Sequence, residues 1–371
     1  MATTTMPNTM GMTNPDRPIR EVLEVTGGVD THADTHTAAA VDQVGGLLGS
    51  ATFPATPAGY EDLVGWLAGF GPLGRVGVEG TGSYGAGLSR WLAGFEITVL
   101  EVNRPDRSER RRRGKSDPID AINAARAVLA GTATAIPKSR NGIVEAIRVL
   151  HLTREGAVKA RTAARNQFTN LLVTAPETVK ARLAGLTTAQ QLDTAAAFRP
   201  GDISDPTDAT KTALRALARR VTTLTVEIDQ LHTGLADLTA QAAPELRAEY
   251  GVGPESAAQL LITAGDNPDR LASEAAFAAL CGTSPVPASS GRTNRHRLSR
   301  GGDRQANRAL HMVILTRIRR HQPTRDYMAR AITKGRTKKE ATRILKRYLA
   351  RHLYHLLNTP GTITATTLTG P

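Results

Sequence analysis

The feature that most constrains the fold of this chain is a seven-residue repeat of apolar side chains. Two interleaved rows recur, a row a of Leu214, Val221, Ile228 and Leu235 and a row d of Leu217, Leu224, Leu231 and Leu238. Four consecutive heptads predict a coiled-coil helix whose apolar seam must meet another helix. The partner is either a second copy, giving a homo-oligomer (dimer or tetramer) through residues 214–238, or the long helix predicted at 143–175. We favour the homo-oligomer.

The N-terminal third has a different pattern, in which short β-prone runs precede and then alternate with helical spacing. Three runs separated by Gly, Asp and Thr follow residue 21, and PAGYEDLVGWLAGF, RVGVE, AGLSRWLAGF, ITVLEV and DPIDAINAARAVLA come next. The order from about residue 21 to residue 130 is therefore βββαβαβα, which predicts a mixed sheet with helices packed on it.

Changes in pattern along the chain divide it into five predicted ranges. Residues 176–212 have little periodicity and are predicted to form a connecting region inside the helical part. Short helices and glycine turns follow residue 244, and a Thr-rich stretch ends the chain. We predict a disordered tail at 1–20, an α/β domain at 21–140, a helical and coiled-coil region at 141–243, a mainly α-helical domain at 244–357 and a disordered tail at 358–371.

Positive charge is concentrated at the C-terminal end. Residues 281–371 contain 19 Lys and Arg against 3 Asp and Glu, whereas the chain as a whole carries +13. A polyanion, above all nucleic acid, is the expected partner for such a surface, because lysine and arginine release the counterions condensed on phosphates. A solvated basic face or a tail contacting lipid is the alternative. The single cysteine, Cys281, and the lack of a membrane-length apolar run predict a soluble, cytoplasmic protein without a membrane partner.

Four acids of the N-terminal region lie where an α/β sheet collects a site. Asp30 lies on or at the end of the first strand, Glu79 ends the VGVE strand, and Asp117 and Asp120 open the helix DPIDAINAARAVLA. Carboxylates at such positions are ligands for Mg²⁺ (magnesium) in phosphodiester chemistry. Each acid also has a structural alternative. Asp117 and Asp120 suit an ordinary capped helix start, and Asp34 and Asp42 compete with Asp30.

The stretch PVPASSGRTNRHRLSRGG at 285–302 places two serines ahead of a basic run. By composition it is a mobile loop beside a phosphate-binding face, and the residues by themselves leave open whether Ser289 or Ser290 has a chemical role. A second basic run, RSERRRRGK at 107–115, lies close to the acids in sequence and is expected to bind RNA or DNA.

Four segments, GVDTHADTHTAAAVD, VGVEGTGSYGAGL, VNRPDRSERRRRGKSDPIDAINAARAVLAG and CGTSPVPASSGRTNRHRLSRGGDRQANRALH, together resemble transposases of the insertion-sequence one-ten family, the RNA-guided bridge recombinases. The resemblance covers most of the chain in order. It implies a RuvC-like (RNase H fold) domain with a DEDD carboxylate set, a coiled-coil segment and a C-terminal transposase domain with a catalytic serine.

The resemblance assigns roles to particular residues. It implies that Asp30, Glu79, Asp117 and Asp120 hold Mg²⁺ and that Ser290 attacks DNA to form a phosphoserine ester. It also implies a non-coding guide RNA that pairs with donor and target DNA. The cations expected to contact nucleic acid are Arg111, Arg112, Arg113, Lys115, Arg292, Arg295, Arg297, Arg300, Arg304 and Arg308.

Three other functions compete with an RNA-guided recombinase. A structure-specific nuclease or junction resolvase would use only the acids. A sugar-kinase or actin-like ATPase would use GTGSYG as a phosphate loop, but it leaves the C-terminal charge unexplained. A nucleic-acid-binding scaffold would use none of these groups chemically.

Overall fold

The computed structural model describes residues 24–95, 97–102, 116–267, 270–291, 296–297 and 299–357. The chain forms two compact units, one made of residues 1–142 with 265–270 and the other of residues 143–264 with 271–371. Several predictions concern residues outside the described ranges, namely the two disordered tails, the whole 107–115 run with Arg111, Arg112, Arg113 and Lys115, and Arg292 and Arg295.

The first unit is a mixed α/β sheet with the predicted βββαβαβα order. Its strands are β1 (Val25–Thr31), β2 (Thr35–Val41), β3 (Leu47–Pro54), β4 (Leu73–Glu79) and β5 (Thr98–Val102). They lie side by side in the order β3-β2-β1-β4-β5. The pairs β1–β2 and β2–β3 are antiparallel, and β1–β4 and β4–β5 are parallel. Every residue of the central strand β1 is buried.

Helices cover both faces of this sheet. They are α1 (Pro57–Ala68), α2 (Ala86–Leu92) and α3 (Asp117–Leu129). On one face, valines of β1 and β4 share an apolar core with leucines of α1 and α2. A distant segment also joins the unit, because the Asn267 side chain donates to the Pro137 carbonyl at 2.9 Å.

The opposite face is shaped by two glycines that lie side by side in the parallel register of β1 and β4, Gly28 and Gly77. A Cβ on Gly28 would lie 2.2 Å from the Ala121 carbonyl oxygen of α3. A Cβ on Gly77 would lie 2.7 Å from Val128 Cγ2 on the same helix. The absence of side chains at these two positions lets α3 lie directly on the strands.

The second unit is helical. Its helices are α4 (Ile143–Val173), α5 (Glu177–Leu183), α6 (Thr188–Ala196), α7 (Pro206–Ala242), α8 (Pro244–Ala248), α9 (Pro254–Ala264), α10 (Glu274–Leu280), α11 (Arg304–Arg320), α12 (Gln322–Thr333) and α13 (Lys338–Leu357). One short hairpin, β6 (Val286–Pro287) with β7 (His296–Arg297), interrupts them. Among the described residues, every helix falls short of the length and apolarity needed to span a bilayer.

The heptad repeat lies on α7, and α4 covers one of its two rows. The N-terminal part of α4 shares a core with Leu235, and its C-terminal part shares another with Leu214 and Val221, so the two helices run antiparallel. The four row-a side chains are at most 4% exposed, whereas the row-d leucines are only partly buried. Row a is therefore covered within the same chain, as expected if the heptad helix packs against the helix predicted at 143–175. A homo-oligomer through residues 214–238 stays a prediction and would have row d as its apolar contact.

The interval 176–212, predicted as a connecting region, contains two short helices and is corrected accordingly. Helices α5 and α6 bury Val179, Leu183 and Leu192, which pack in one cluster with Phe168 of α4 and Leu214 of α7. Helices of 7 and 9 residues have too few turns for an apolar stripe to recur visibly in sequence.

Substitution of Gly28 tests the close contact between α3 and the sheet. Gly28→Ala should destabilise the first unit by about 3 kcal/mol, because the new methyl group meets backbone atoms that cannot rotate away. The exposed helical Gly65 is the control, since its Cβ would meet no atom of the described residues within 4 Å. Gly65→Ala should stabilise by about 0.5–1 kcal/mol.

Tryptophan fluorescence during urea unfolding measures both variants, because the chain has 2 tryptophans and both, Trp66 and Trp91, lie in the first unit. Equal midpoints for Gly28→Ala and the parent protein would contradict the contact.

Candidate active site

The ends of two parallel strands bring Asp30 and Glu79 together. Val29 pairs with Val78 in register, so Asp30 of β1 and Glu79 of β4 follow as neighbours. Side chains alternate along a strand, which puts both acids on the α3 face, two residues beyond Gly28 and Gly77. The Thr31 hydroxyl donates to the Glu79 backbone carbonyl at 2.8 Å and holds the two strand ends together. Asp30 and Glu79 are both buried.

The first turn of α3 supplies Asp117 and Asp120. The residue at the N-cap is Ser116, with extended backbone, and Pro118 occupies the first turn. The start of α3 thus has the proline and the first-turn acids of an ordinary helix start, but its N-cap is Ser116, and Asp117 already belongs to the helix. Asp120 is buried, whereas the Asp117 side chain is about half exposed, at 47%.

One histidine contacts acids from both elements. His32 Nε2 lies 3.2 Å from Asp30 Oδ2 and 3.3 Å from Asp117 Oδ1. Ligand atoms of these three residues all lie within 4.8 Å of one another. The sequence analysis did not identify His32 as a site residue, although His32 lies in the same GVDTH stretch as Asp30. The available signal was an Asp-x-His spacing at a strand end, which places two metal-binding side chains near one another.

Burial and like charge govern the protonation of Asp30. Desolvation raises the pKa of the Asp30 carboxyl; His32 opposes this shift, and the nearby carboxylates of Asp120 and Asp117 add to it. The interaction with Asp120 places the fourth acid within electrostatic reach of Asp30. A group whose carboxylates repel each other in this way is stabilised by a bound cation.

The donor atoms fit a divalent metal ion. Asp30 Oδ2 is buried and accepts no hydrogen bond in the described part of the chain, and its contact with His32 lacks hydrogen-bond geometry. Carboxylate oxygens are the ligands that hard divalent cations prefer, and imidazole is compatible with transition metals. The structure brings ligand atoms of Asp30, Asp117 and His32 together. Glu79 lies at the end of the neighbouring strand β4, and Asp120 lies in the same first turn of α3 as Asp117.

The two acids that competed with Asp30 have structural positions. Asp42 Oδ1 accepts hydrogen bonds from the backbone amides of Val44 at 3.1 Å and Gly46 at 2.8 Å, so it stabilises the turn between β2 and β3. Asp34 is exposed in the turn between β1 and β2. Neither acid has the placement of Asp30.

Ser290 lies in the second unit, in the loop between β6 and β7. Both Ser289 and Ser290 are exposed, and the next residue, Gly291, has a left-handed backbone with φ of 55°. The hydroxyl of Ser290 is thus accessible from outside the unit. Cys281 precedes this loop and is fully buried, and burial raises the pKa of its thiol to about 12. Cys281 is therefore a core residue.

The described arginines of the predicted nucleic-acid set occupy separate places in the second unit. Arg297 is on β7, Arg300 follows the hairpin, and Arg304 and Arg308 are on α11; all four are exposed. Arg308 lies 3.5 Å from Glu155 of α4 and lines a cleft with His151 and Arg154, whereas Arg297 lines a different cleft beside α13. The described members of this set therefore lie in separate places on the second unit.

Comparison with protein families matches both units. A DEDD-type transposase model of the IS110 family matches residues 27–175, a range that includes Asp30, Glu79, Asp117 and Asp120. A model described as the transposase IS116/IS110/IS902 family matches residues 243–329, which include Ser290. Comparison with curated proteins found no match. The two family matches, in this order along one chain, establish that it belongs to the IS110 family of transposases.

Proposed function

We propose that this transposase mobilises an insertion sequence by Mg²⁺-dependent strand cleavage and exchange, with Ser290 as the nucleophile and a non-coding RNA as the guide. The observation that carries the proposal is the buried Asp30 carboxylate, which lies beside the α3 acids and contacts His32 at 3.2 Å. DNA as the substrate follows from membership of a transposase family. The metal, the serine and the RNA are the proposed details.

The acids and His32 have distinct parts in this proposal. Asp30, Glu79, Asp117 and Asp120 would hold Mg²⁺, which when bound supplies positive charge to the reacting phosphodiester. His32 contacts Asp30 and Asp117 from one nitrogen, so it holds carboxylates of β1 and α3 at a common point. We infer that His32 positions these two acids for the metal.

Ser290 performs the covalent step in this proposal. Its Oγ forms a bond to phosphorus, the bond from phosphorus to one deoxyribose oxygen breaks, and that oxygen leaves with a proton. The serine proton passes to solvent or a basic group. One strand end then stays attached as a phosphoserine ester, which the free end of another strand attacks to regenerate serine. The exposed position of Ser290 ahead of the left-handed Gly291 supports this role.

The second candidate function is a structure-specific nuclease that uses only the acids. It is favoured by one observation, namely that the acid cluster forms entirely within the first unit whereas Ser290 lies in the second. The two functions differ in whether cleavage needs the serine.

A covalent adduct tests the serine. DNA carrying the element's ends, incubated with Mg²⁺ and the matching RNA, should yield a protein–DNA adduct that survives denaturant and migrates as one band on a denaturing gel. Ser290→Ala should yield none. Ser289→Ala is the matched control and should still form the adduct. Adduct formation by Ser290→Ala would disprove the assignment, and cleavage by that variant without an adduct would favour the nuclease.

Substitution of Asp30 tests the acid cluster by two measurements. Asp30→Asn should abolish strand exchange and remove the calorimetric signal of divalent-cation binding, because a carboxylate ligand is lost, while RNA binding is retained. Asp34→Asn, two positions beyond His32 in an exposed turn, is the control and should retain both. His32→Ala should weaken cation binding about 10- to 100-fold, as is typical of residues that orient metal ligands. Unchanged cation affinity in Asp30→Asn would contradict the site.

Nucleic acid that copurifies with the protein tests RNA guidance. We expect purified protein to carry RNA from the element, with an affinity that falls steeply as salt rises, because phosphate contacts release counterions. Sequencing the bound RNA is the measurement. Protein without RNA, together with binding that is insensitive to salt, would argue against a guide.

A further inference from the structure

The second unit contains a basic cleft beside α13. The residues predicted from the sequence to bind nucleic acid include none from α13. The cleft, of about 470 Å³, lies between the face of α13 and Gly282–Pro285, which form the foot of the segment that leads to Ser290 (residues 282–290, the serine loop). Five cationic side chains line it, against one carboxylate, that of Glu340; they are Arg297, Arg336, Arg343, Lys346 and Arg347. The cleft therefore has the charge of an anion-binding site.

The floor of the cleft is a buried hydrogen-bond network. Lys346 is only 8% exposed, and its ammonium group donates to Asn307 Oδ1 at 2.7 Å. The Asn307 amide nitrogen donates in turn to the carbonyls of Cys281 at 2.9 Å and Gly282 at 3.2 Å. Within the described residues, this buried cation is thus held by a neutral amide and has no paired acid. A buried positive charge without a counter-charge favours an anion nearby.

The wall and mouth of the cleft are built differently. Arg347 donates to the Ser284 hydroxyl at 3.2 Å, which fixes its guanidinium against the serine loop. Arg336 and Arg343 are exposed at the mouth. Glu340 accepts hydrogen bonds from the Thr337 amide at 2.9 Å and the Thr337 hydroxyl at 2.8 Å, so its carboxylate is committed to the start of α13. Glu340 attracts both mouth arginines electrostatically, but no ion pair within 4 Å joins it to either of them among the described residues, so their guanidinium groups can contact an anionic ligand.

An aromatic ring completes the site. Tyr348 lines the cleft, is 54% exposed and stands edge-on to Tyr327, with ring centroids 6.2 Å apart. An exposed ring among arginines is typical of sites for single-stranded nucleic acid, because a base stacks on the ring while the arginines contact phosphates. A duplex keeps its bases stacked inside and has no base free for this contact.

We propose that this cleft binds one unpaired nucleic-acid strand, with phosphates on Arg336 and Arg343 and a base against Tyr348. This inference rests on the proposed function, since it adds a strand-binding site next to the loop that carries Ser290. The strand is DNA or RNA, which share this chemistry. Lys346 and Asn307 position the loop and the floor, and the mouth residues contact the ligand.

Fluorescence anisotropy of the full chain without added metal tests the cleft. The probes are a labelled DNA strand of about 20 nucleotides, longer than a typical single-strand site, an RNA of the same sequence and the matching DNA duplex. Arg336→Gln combined with Arg343→Gln should weaken single-strand binding about 10-fold and lower the salt dependence by about 0.7 per lost phosphate contact. The control combines Arg325→Gln and Arg330→Gln, at exposed positions of α12. It should change the single-strand affinity by less than about two-fold.

Tyr348 tests the single-strand preference by itself. Tyr348→Ala should weaken strand binding and leave duplex binding unchanged, and Tyr348→Phe should retain strand binding because the ring is kept. The stronger of the DNA and RNA probes identifies the strand, and either supports the cleft.

The inference would be overturned by equal losses in the α12 control and the cleft variant, and also by equal binding of strand and duplex. If the parent protein binds none of the probes, the proposed function fails as well. If it binds and the cleft variant binds equally, only the cleft assignment fails.

Discussion

The close contact of α3 with β1 and β4 is the constraint on which the acid site depends. Gly28 and Gly77 are paired across the two parallel strands, and a side chain on either would overlap α3. Because α3 lies so close to the sheet, its first turn reaches the strand ends where Asp30 and Glu79 lie. Any larger residue at these positions would move Asp117 and Asp120 away from Asp30. The glycines thus set the geometry of the carboxylates.

The same contact concentrates negative charge at one point. Burial raises the pKa of Asp30, and the acids of α3 add to the shift because a second carboxylate nearby disfavours ionisation. His32 partly offsets this by contacting Asp30 and Asp117. A divalent cation would offset it further, which links the stability of this arrangement to metal binding. A structure-specific nuclease and a serine recombinase would share this part of the chemistry.

The second unit distributes between separate clefts the basic residues that lie in one segment of the sequence. Its helices pack row a of the heptads against α4, so the most regular pattern in the sequence mainly builds the fold of a single chain. The positive charge is divided between clefts. Arg308 faces α4, and the residues around Lys346 face the foot of the serine loop. The proposed strand-binding site therefore depends on α13, which lies some fifty residues after Ser290 in sequence.

The sequence by itself determined the order of strands and helices in the first unit, the long helix near 143–175, the helical heptads at 214–238, the candidate acids and the family. These follow from local periodicity and from motifs, which depend on residues close together in the chain. Only the tertiary structure decided that Ser116, not Asp117, caps α3, that His32 joins the acids, and that α4 covers row a. It also decided that Lys346 lies buried under the serine loop. The N-cap depends on the residue at which the local backbone becomes helical. The other features depend on contacts between segments far apart in sequence, whose distances no local pattern encodes.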